Sequence, residues 1–317
     1  ISSIARHFPI ANEIEVSLEA NPGSTTAETL EGFKEAGVNR LSFGAQSFGI
    51  ESLKKLGRMH TPDQVVSSFE AGRSAGFSNI NLDLIYGIEN QSLSDLQRDL
   101  QAALELNPEH ISAYGLTIEK GTPFYSRYKK GDLILPPEDL ILNMMSLIRE
   151  TLSKTLLHYE ISNYAKSGKE ALHNMAYWEG VDYLGIGAGA HSFYRKTDTH
   201  QAQRWSNYAH PDKYIKTSIA TGNPQSWSDL LDKQALIFEF FFLGLRKVAG
   251  ISKKSFYETF SLSLDDLYPV TIAMLEERGL LICEGDNVRL SDSGLYVADS
   301  VVESFIENDN LSLLTGT

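Results

Sequence analysis

Four short stretches near the start of the chain alternate apolar and polar positions. They lie at 14–20, 40–47, 80–87 and 110–117, and the sequence Asn-Pro-Gly at 21–23 ends the first one. Alternation with a period of two is typical of β-strands, and Asn, Pro and Gly are typical of the turns that end them. The segments between the strands have helical periodicity, and the strands recur roughly every 30 residues, as in successive βα units. The pattern therefore predicts a parallel βα series with its functional residues at the strand ends.

The pattern changes after this series. A helix at 137–154 and a short strand at 159–164 are predicted first, and the residues from 168 to 208 are then rich in Gly, His, Tyr and Trp with little periodicity. The remainder is mainly helical, and it ends in a helix, a hairpin at 280–290 and a final helix, an order typical of a winged helix. The sequence thus predicts three segments: 1–166 as a βα barrel segment, 167–230 as a connecting segment, and 231–317 as a helical, winged-helix-like domain.

Composition narrows the class of protein. The 317 residues carry a formal net charge of −13 without a concentrated basic run, which disfavours nucleic acid as a partner. A packing module is therefore the preferred interpretation of the winged-helix-like end. The longest apolar run is far shorter than the ~20 residues of a membrane-spanning helix. The single cysteine, Cys283, excludes a disulfide within the chain and favours a reducing compartment, so we expect a cytoplasmic location.

Polar side chains mark the predicted strand ends. Glu19, Gln46, Asp83 and Thr117 each lie near the carboxyl end of one strand, and Arg58 lies in the loop after the second. Carboxylates and an amide can hold sugar hydroxyls or an ammonium group, and a guanidinium can bind a carboxylate through two parallel hydrogen bonds. These residues predict a site for a small zwitterion that carries a ribose. Helix caps and loop ion pairs are the alternative roles for the same residues.

Four motifs in this region resemble the radical S-adenosylmethionine (SAM) family. They are SLEANPG at 17–23, RLSFGAQSF at 40–48, LGRMH at 56–60 and NLDLIYG at 81–87. Within that family they are similar to the oxygen-independent coproporphyrinogen III oxidases and their haem-chaperone relatives, over essentially the whole chain. The resemblance implies an α/β fold, a partial TIM-like (β/α) radical SAM barrel without its first two βα units, followed by the helical, winged-helix-like domain.

The same resemblance implies roles for the strand-end residues. Arg58 is expected to bind the methionine carboxylate of SAM. Glu19, Gln46 and Asp83 are expected to bind its ribose and amino group, with Thr117 near the adenine.

One part of the family pattern is missing. The family holds a [4Fe–4S] cluster with three cysteines spaced C-x-x-x-C-x-x-C, and it has a Gly-Gly-Thr-Pro strand end; neither motif occurs in these 317 residues. Both motifs belong to the first two βα units of the family, and the chain starts at Ile1 instead of Met. We therefore expect the cluster ligands to lie in an upstream segment, and the chain as it stands cannot ligate the cluster.

A second candidate site follows the βα series. The motif His-Asn-x-x-Tyr-Trp at 173–178 places His173 beside Tyr177 and Trp178. A histidine can ligate haem iron and aromatic rings can stack on a porphyrin, although a histidine alone is more often a structural residue. In the resembling family this motif is associated with haem binding in the chaperone. It therefore indicates His173 as an iron ligand, with Tyr177 and Trp178 as neighbours of the haem.

Three functional hypotheses follow. The first is a haem chaperone that delivers haem to apo-haemoproteins such as respiratory cytochromes, with SAM and the cluster as further cofactors. The second is an oxygen-independent coproporphyrinogen III oxidase of porphyrin biosynthesis, which the motif at 173–178 disfavours. The third, independent of the resemblance, is a barrel enzyme that uses Glu19 and Asp83 as ligands for a hard cation such as Mg²⁺. Whether the chain is an enzyme, and whether it forms a homodimer, stays open at this stage.

Overall fold

The computed structural model describes residues 1–196, 200–306 and 309–310. The chain divides into two compact units, Ile1–Leu172 and His173–Thr317. Within the described ranges, no helix combines the length and the apolar character needed to cross a membrane.

The first unit is built around a mixed sheet of six strands in the order β1-β2-β3-β4-β6-β5. Strands β1 to β4 run parallel to one another, as the alternating pattern predicts. Helices connect them in chain order. The elements are α1 (Ser2–Ala5), β1 (Ser17–Ala20), α2 (Ala27–Glu35), β2 (Arg40–Gln46), α3 (Ile50–Lys55), α4 (Pro62–Ser74), β3 (Ile80–Tyr86), α5 (Leu93–Glu105), β4 (His110–Gly115), α6 (Pro123–Lys130), α7 (Glu138–Leu152), β5 (Leu157–Glu160) and β6 (Asn163–Ala165).

Local sequence signals set the helix boundaries. Thr61 caps α4 by accepting a hydrogen bond from the backbone N–H of Gln64, whose side chain accepts one from Thr61 N in return. Ser92 forms the same reciprocal cap with Asp95 at the start of α5. Thr26 caps α2 in the same way, in a reciprocal arrangement with Thr29.

The two faces of the sheet differ in polarity. One face carries apolar side chains that are almost completely buried, and it packs against apolar positions of the helices. This face includes Leu41, Phe43, Ile80, Leu82 and Ile111. The opposite face carries polar residues at the alternate positions of the same strands, since successive side chains of a strand point to opposite faces. The apolar face holds the unit together and leaves the polar face for function.

The end of the sheet differs from the prediction of one strand at 159–164. The structure has two short strands there, β5 and β6, which pair antiparallel to each other, and β6 also pairs antiparallel to β4. The parallel series therefore stops after four strands and is closed by a hairpin. A hairpin this short leaves too few alternating positions for a sequence pattern to separate two strands from one.

The second unit contains two three-stranded antiparallel sheets with helices around them. Strands β7, β8 and β9 form one sheet and β10, β12 and β11 the other. The elements are α8 (Leu172–Trp178), β7 (His191–Lys196), β8 (Gln201–Asn207), α9 (Pro211–Thr221), β9 (Gln225–Leu231), α10 (Lys233–Gly244), β10 (Ile251–Ser252), α11 (Lys253–Phe260), α12 (Leu264–Leu267), α13 (Pro269–Glu277), β11 (Leu281–Glu284), β12 (Asn287–Leu290), α14 (Asp292–Tyr296) and α15 (Ala298–Glu303).

The segment predicted at 167–230 is therefore not an irregular connection between two domains. Most of it forms α8, α9 and the sheet β7-β8-β9, all of which belong to the second unit. Strand β9 has an almost completely exposed burial pattern, so it lacks the apolar alternation by which a sequence reveals a strand.

The carboxyl-terminal part has the predicted order of a helix, a hairpin and a further helical stretch. The helical stretch consists of two short helices, α14 and α15, where one was expected. Aromatic side chains fill the core of this carboxyl-terminal part. The rings of Phe241 and Phe305 stack with centroids 4.1 Å apart, and the rings of Phe256 and Tyr268 also contact Phe241.

Candidate functional site

Strand register places two of the predicted strand-end residues, Glu19 and Asp83, on the polar face of the first unit. Glu19 pairs with Ser42, and Ser42 pairs with Asn81 on the next strand. Directly paired residues share a face of the sheet, and Asp83, two residues after Asn81, shares it as well. Glu19 is exposed and Asp83 half-buried, so their carboxylates border a surface that a ligand can reach.

Gln46 reaches the same face through an unusual backbone conformation. It has φ of 64°, in the left-handed region that few residues other than glycine adopt, and it follows an irregularity in the pairing of β2 with β3. Its side chain folds back over Gly44: a Cβ atom at Gly44 would lie 2.7 Å from Gln46 Nε2 and 3.8 Å from Asn21 Oδ1. Since residues 42 and 44 face the same way, the Gln46 amide lies on the polar face beside the end of β1.

Arg58 and Thr117 lie at the same edge of the sheet but in loops. The loop of Arg58 is anchored to the end of β2 by a 3.1 Å hydrogen bond between His60 Nε2 and the carbonyl oxygen of Ala45. The Thr117 hydroxyl donates to the carbonyl oxygen of Gly115 at the end of β4. Both side chains are exposed. Among the described hydrogen bonds, none joins one of the five predicted residues to another. Their polar groups are therefore free of one another and can bind an external ligand.

A network of hydrogen bonds fixes the carboxylate of Asp83. The hydroxyl of Ser42 donates to Asp83 Oδ2 at 3.0 Å, and Asn81 Nδ2 donates to Asp83 Oδ1 at 2.8 Å. The network continues through 2.6 Å between Asn81 Oδ1 and His110 Nδ1, and 2.8 Å between His110 Nε2 and the hydroxyl of Tyr159. Both oxygens of Asp83 are thereby held in one orientation toward the polar face.

The protonation state of His110 determines which of its ring nitrogens donates and which accepts in this network. Burial first, and the nearby charge of Arg40 second, lower the pKa of His110 to about 3, so the ring is neutral near pH 7. Because Asn81 Oδ1 can only accept, His110 Nδ1 carries the proton and donates it. His110 Nε2 then accepts from Tyr159, whose oxygen accepts in turn from the backbone N–H of Ala171.

Sequence reasoning missed these supporting residues. The alternating pattern marks Ser42, Asn81, His110 and Tyr159 only as members of strands, although Asn81 and His110 are 1% and 0% exposed. The available signal was a pair of polar residues two positions apart on one strand, such as Asn81 and Asp83 on β3. A buried polar residue at such a position requires a partner, and the register supplies one.

The motif at 173–178 forms the short helix α8, on which its aromatic residues separate. His173 and Tyr177 share one face, with ring centroids 4.8 Å apart in an edge-to-face arrangement, and Tyr177 contacts Tyr183 at 4.7 Å. His173 is exposed. Trp178 instead lies under the guanidinium of Arg246, 5.3 Å from its ring centroid. The helix thus presents an accessible imidazole backed by aromatic rings, with Trp178 outside that group.

The glycine run after this helix allows close backbone packing. A Cβ atom at Gly185 would lie 2.0 Å from the carbonyl oxygen of His191, so no other residue fits at this position without a shift of the backbone. The glycines at 185, 187 and 189 are followed by strand β7 and not by the helix that a dinucleotide-binding fingerprint requires, so they serve packing.

Comparisons with known proteins place this architecture. The family model described as the radical SAM superfamily matches residues 2–103, and the model described as the HemN C-terminal domain matches residues 231–297. The heme chaperone HemW of Bacillus subtilis is 40% identical over 299 residues, which cover 94% of this chain and 77% of that protein. The heme chaperone HemW of Escherichia coli is 33% identical over 96% of this chain and 78% of its own length.

The chain belongs to the HemW family of radical SAM proteins. The coproporphyrinogen III oxidase HemN of Escherichia coli, a radical SAM enzyme, has the same fold, with a TM-score of 0.79 over 96% of this chain and 72% of that structure. At 20% identity that likeness concerns the fold alone. The predicted resemblance and the predicted α/β partial barrel with a carboxyl-terminal helical domain are both confirmed.

The cofactors of the radical SAM family fit this chain unequally. The donor set on the polar face, two carboxylates, an amide and a nearby guanidinium, suits the hydroxyl, ammonium and carboxylate groups of SAM. The cluster does not fit, because the only cysteine is Cys283 on β11 in the second unit, where burial raises the pKa of the thiol to about 11. In the described part of the chain, no three His, Cys, Asp or Glu side chains group closely enough to hold a metal ion. The predicted cluster therefore has no ligands here, and the Mg²⁺ hypothesis gains no support.

Proposed function

We propose that this protein is a haem chaperone that binds haem through His173 and SAM on the polar face of its first unit. Membership of the HemW family carries the proposal, since the relatives named heme chaperone HemW match nearly the whole chain at 31–40% identity. The structure of the motif at 173–178 also supports the proposal, because the imidazole of His173 is exposed and lies next to the ring of Tyr177.

For SAM, the proposal assigns one role to each strand-end residue. Glu19, Gln46 and Asp83 bind the ribose and the amino group, and Arg58 binds the carboxylate through its guanidinium fork. Thr117 lies beside the adenine. When bound together with a cluster, SAM supplies radical chemistry in this superfamily, and the residues of this chain contribute only binding and orientation. The network behind Asp83 supports its role because it holds both carboxylate oxygens before a ligand arrives.

For haem, His173 would bind the iron through its imidazole, and the ring of Tyr177 contacts that imidazole edge-to-face. The imidazole of His173 is exposed, so haem iron can reach it, and the ring of Tyr177, with its centroid 4.8 Å away, restricts its orientation. Trp178, predicted as a neighbour of the haem, has its ring directed to Arg246. The place of Trp178 beside the haem stays a prediction, and its side chain also borders a pocket of the second unit.

A titration with ferric haem tests the iron ligand. We expect a shifted Soret band in the wild type that is weakened in His173→Ala and preserved in His210→Ala, an exposed histidine of the same unit. Tyr177→Phe keeps the ring and should keep the band. An identical Soret band in the wild type and in His173→Ala would exclude His173 as the ligand.

The acceptors and the location belong to the same proposal. We infer that apo-haemoproteins such as respiratory cytochromes receive the haem, and that the protein works in the cytoplasm, where a lone thiol such as Cys283 stays reduced. Cell fractionation checks the location. Size-exclusion chromatography with light scattering checks whether the chain forms a homodimer.

A further inference from the structure

The second unit contains a pocket of about 420 Å³ that the proposed haem and SAM sites do not use. Its lining includes apolar side chains of α10 and β10, namely Phe240, Leu243 and Ile251. Trp178 and Arg195 also border the pocket. His173 and Tyr177 do not line it, so the pocket is separate from the imidazole that we assign to haem iron.

Two nitrogen donors at this pocket lack an acceptor. Trp178 Nε1 and Arg195 Nε are both buried and make no hydrogen bond within the described residues. A buried donor left unpaired costs roughly 1–3 kcal/mol, so native proteins rarely retain one without a partner. The occurrence of two such donors at a single pocket indicates that an acceptor group binds there.

The charges around the pocket favour an anion. Arg195 and Lys247 contribute positive charge to the lining. The acid Glu239 also lines the pocket, but its two oxygens accept hydrogen bonds of 2.7 and 3.1 Å from Arg204, which balances its charge. Glu179, the other acid of the lining, is exposed to solvent, so its charge is screened. Among the described ion pairs, none joins Arg195 or Lys247 to a carboxylate, so both cations are available to an anion in the pocket.

The surroundings hold the donors in place. The ring of Trp178 lies under Arg246, and the backbone N–H of Arg195 donates to Asp182 Oδ1 at 2.8 Å. The guanidinium of Arg195 packs directly against the backbone of Gly180, where a Cβ atom would lie 2.5 Å from Arg195 Nη2. A side chain at position 180 would displace the guanidinium, so the glycine preserves the space that Arg195 occupies.

We propose that this pocket binds a carboxylate carried on an apolar body. The paired oxygens of a carboxylate match a guanidinium and a second N–H donor, and the apolar lining accepts the rest of the ligand. Two sources have this chemistry: a propionate side chain of a tetrapyrrole, which rests on the proposed function, and a linear carboxylic acid, which does not.

Calorimetric titration of the wild type with three probes tests the proposal. The probes are protoporphyrin IX, its dimethyl ester and hexanoate. Protoporphyrin IX carries two propionates but no iron, so His173 cannot act as an axial ligand for it. We expect binding of protoporphyrin IX or hexanoate, and binding of the ester that is weaker than that of the free acid by at least about tenfold. Binding of hexanoate identifies a general carboxylate site, whereas binding of protoporphyrin IX alone identifies the tetrapyrrole.

Variants assign the binding to the pocket. Arg195→Met should weaken the binding of the acids by about tenfold or more, and Arg195→Lys should weaken it less. Trp178→Phe keeps a ring but loses the N–H, so it should weaken binding by several-fold. The exposed arginine Arg278 provides the control, and Arg278→Met should bind as the wild type does. If thermal unfolding shows that Arg195→Met is not folded, Trp178→Phe and Lys247→Met decide the result.

The proposal is overturned if neither acid binds, or if Arg195→Met and Trp178→Phe bind both acids as tightly as the wild type. Failure here leaves the haem proposal intact, because that proposal depends on the Soret band of the iron-containing ligand and on His173.

Discussion

The neutral state of His110 makes the stability of the first unit depend on pH. His110 is 0% exposed, and burial together with the charge of Arg40 lowers its pKa to about 3, below the ordinary value of 6.5. A base whose folded pKa is depressed binds fewer protons when folded than when unfolded. The stability contribution of neutral His110 is therefore complete above about pH 6.5, and it is lost progressively as the pH falls from 6.5 toward 3.

The size of the loss follows from the two pKa values. At pH 5 an unfolded histidine with a pKa of 6.5 is almost fully protonated, whereas His110 with a pKa of about 3 is not. The linkage relation then predicts that the free energy of unfolding is lower by ~2 kcal/mol at pH 5 than at pH 8. Protonation would also place a donor on Nε2 against the donor of Tyr159 and break the network behind Asp83.

Urea unfolding at pH 8 and pH 5 measures this loss. The three tryptophans, Trp178, Trp205 and Trp227, all lie in the second unit, so their fluorescence reports that unit while far-ultraviolet circular dichroism reports both. His110→Gln keeps a donor toward Asn81 but does not titrate, and exposed His7 offers the control His7→Gln.

From pH 8 to pH 5, the free energy of unfolding measured by circular dichroism should fall by ~2 kcal/mol more in the wild type and in His7→Gln than in His110→Gln. The fluorescence transition should change equally in all three proteins. An equal loss by circular dichroism in the wild type and in His110→Gln would refute the assignment of a buried neutral histidine.

Two further predictions concern the polar face. Asp83→Ala should weaken SAM binding by roughly 10- to 100-fold, because hydrogen bonds to a charged group contribute about 1.5–3 kcal/mol; calorimetry measures the change, and Asp63→Ala at an exposed position of α4 should leave the affinity unaltered. Arg58→Met should weaken SAM by about tenfold or more but leave the affinity for decarboxylated SAM unchanged, since that analogue has no carboxylate for the guanidinium; equal losses for both compounds would show that Arg58 does not bind the carboxylate.

The sequence reveals those features that depend on local periodicity and turn chemistry. The four parallel strands follow from alternation, and Thr61-Pro62 with Gly76 marks the ends of α4 because caps act within a few residues. Glu19 and Asp83 could be placed near one another because parallel strands bring their carboxyl ends to one edge.

Features that depend on long-range pairing could not be predicted in the same way. The Ser42 hydroxyl that binds Asp83 comes from another strand, and His110 is a neutral base because residues distant in the sequence bury it and the charge of Arg40 lowers its pKa further. Gln46 reaches the polar face through a left-handed backbone conformation that no propensity of glutamine indicates. The separation of Trp178 from His173 and Tyr177 depends on Arg246, 68 residues further along the chain than Trp178 (246 − 178).

Transfer of haem tests the proposed function most directly. The protein is loaded with ferric haem, freed of excess ligand and mixed with an apo-cytochrome, whose own Soret and α-bands report the haem that it receives. We predict transfer of haem from the wild type and from His210→Ala, and strongly reduced transfer from His173→Ala. Haem that stays on the wild-type protein, or equal transfer from His173→Ala, would contradict the proposed function.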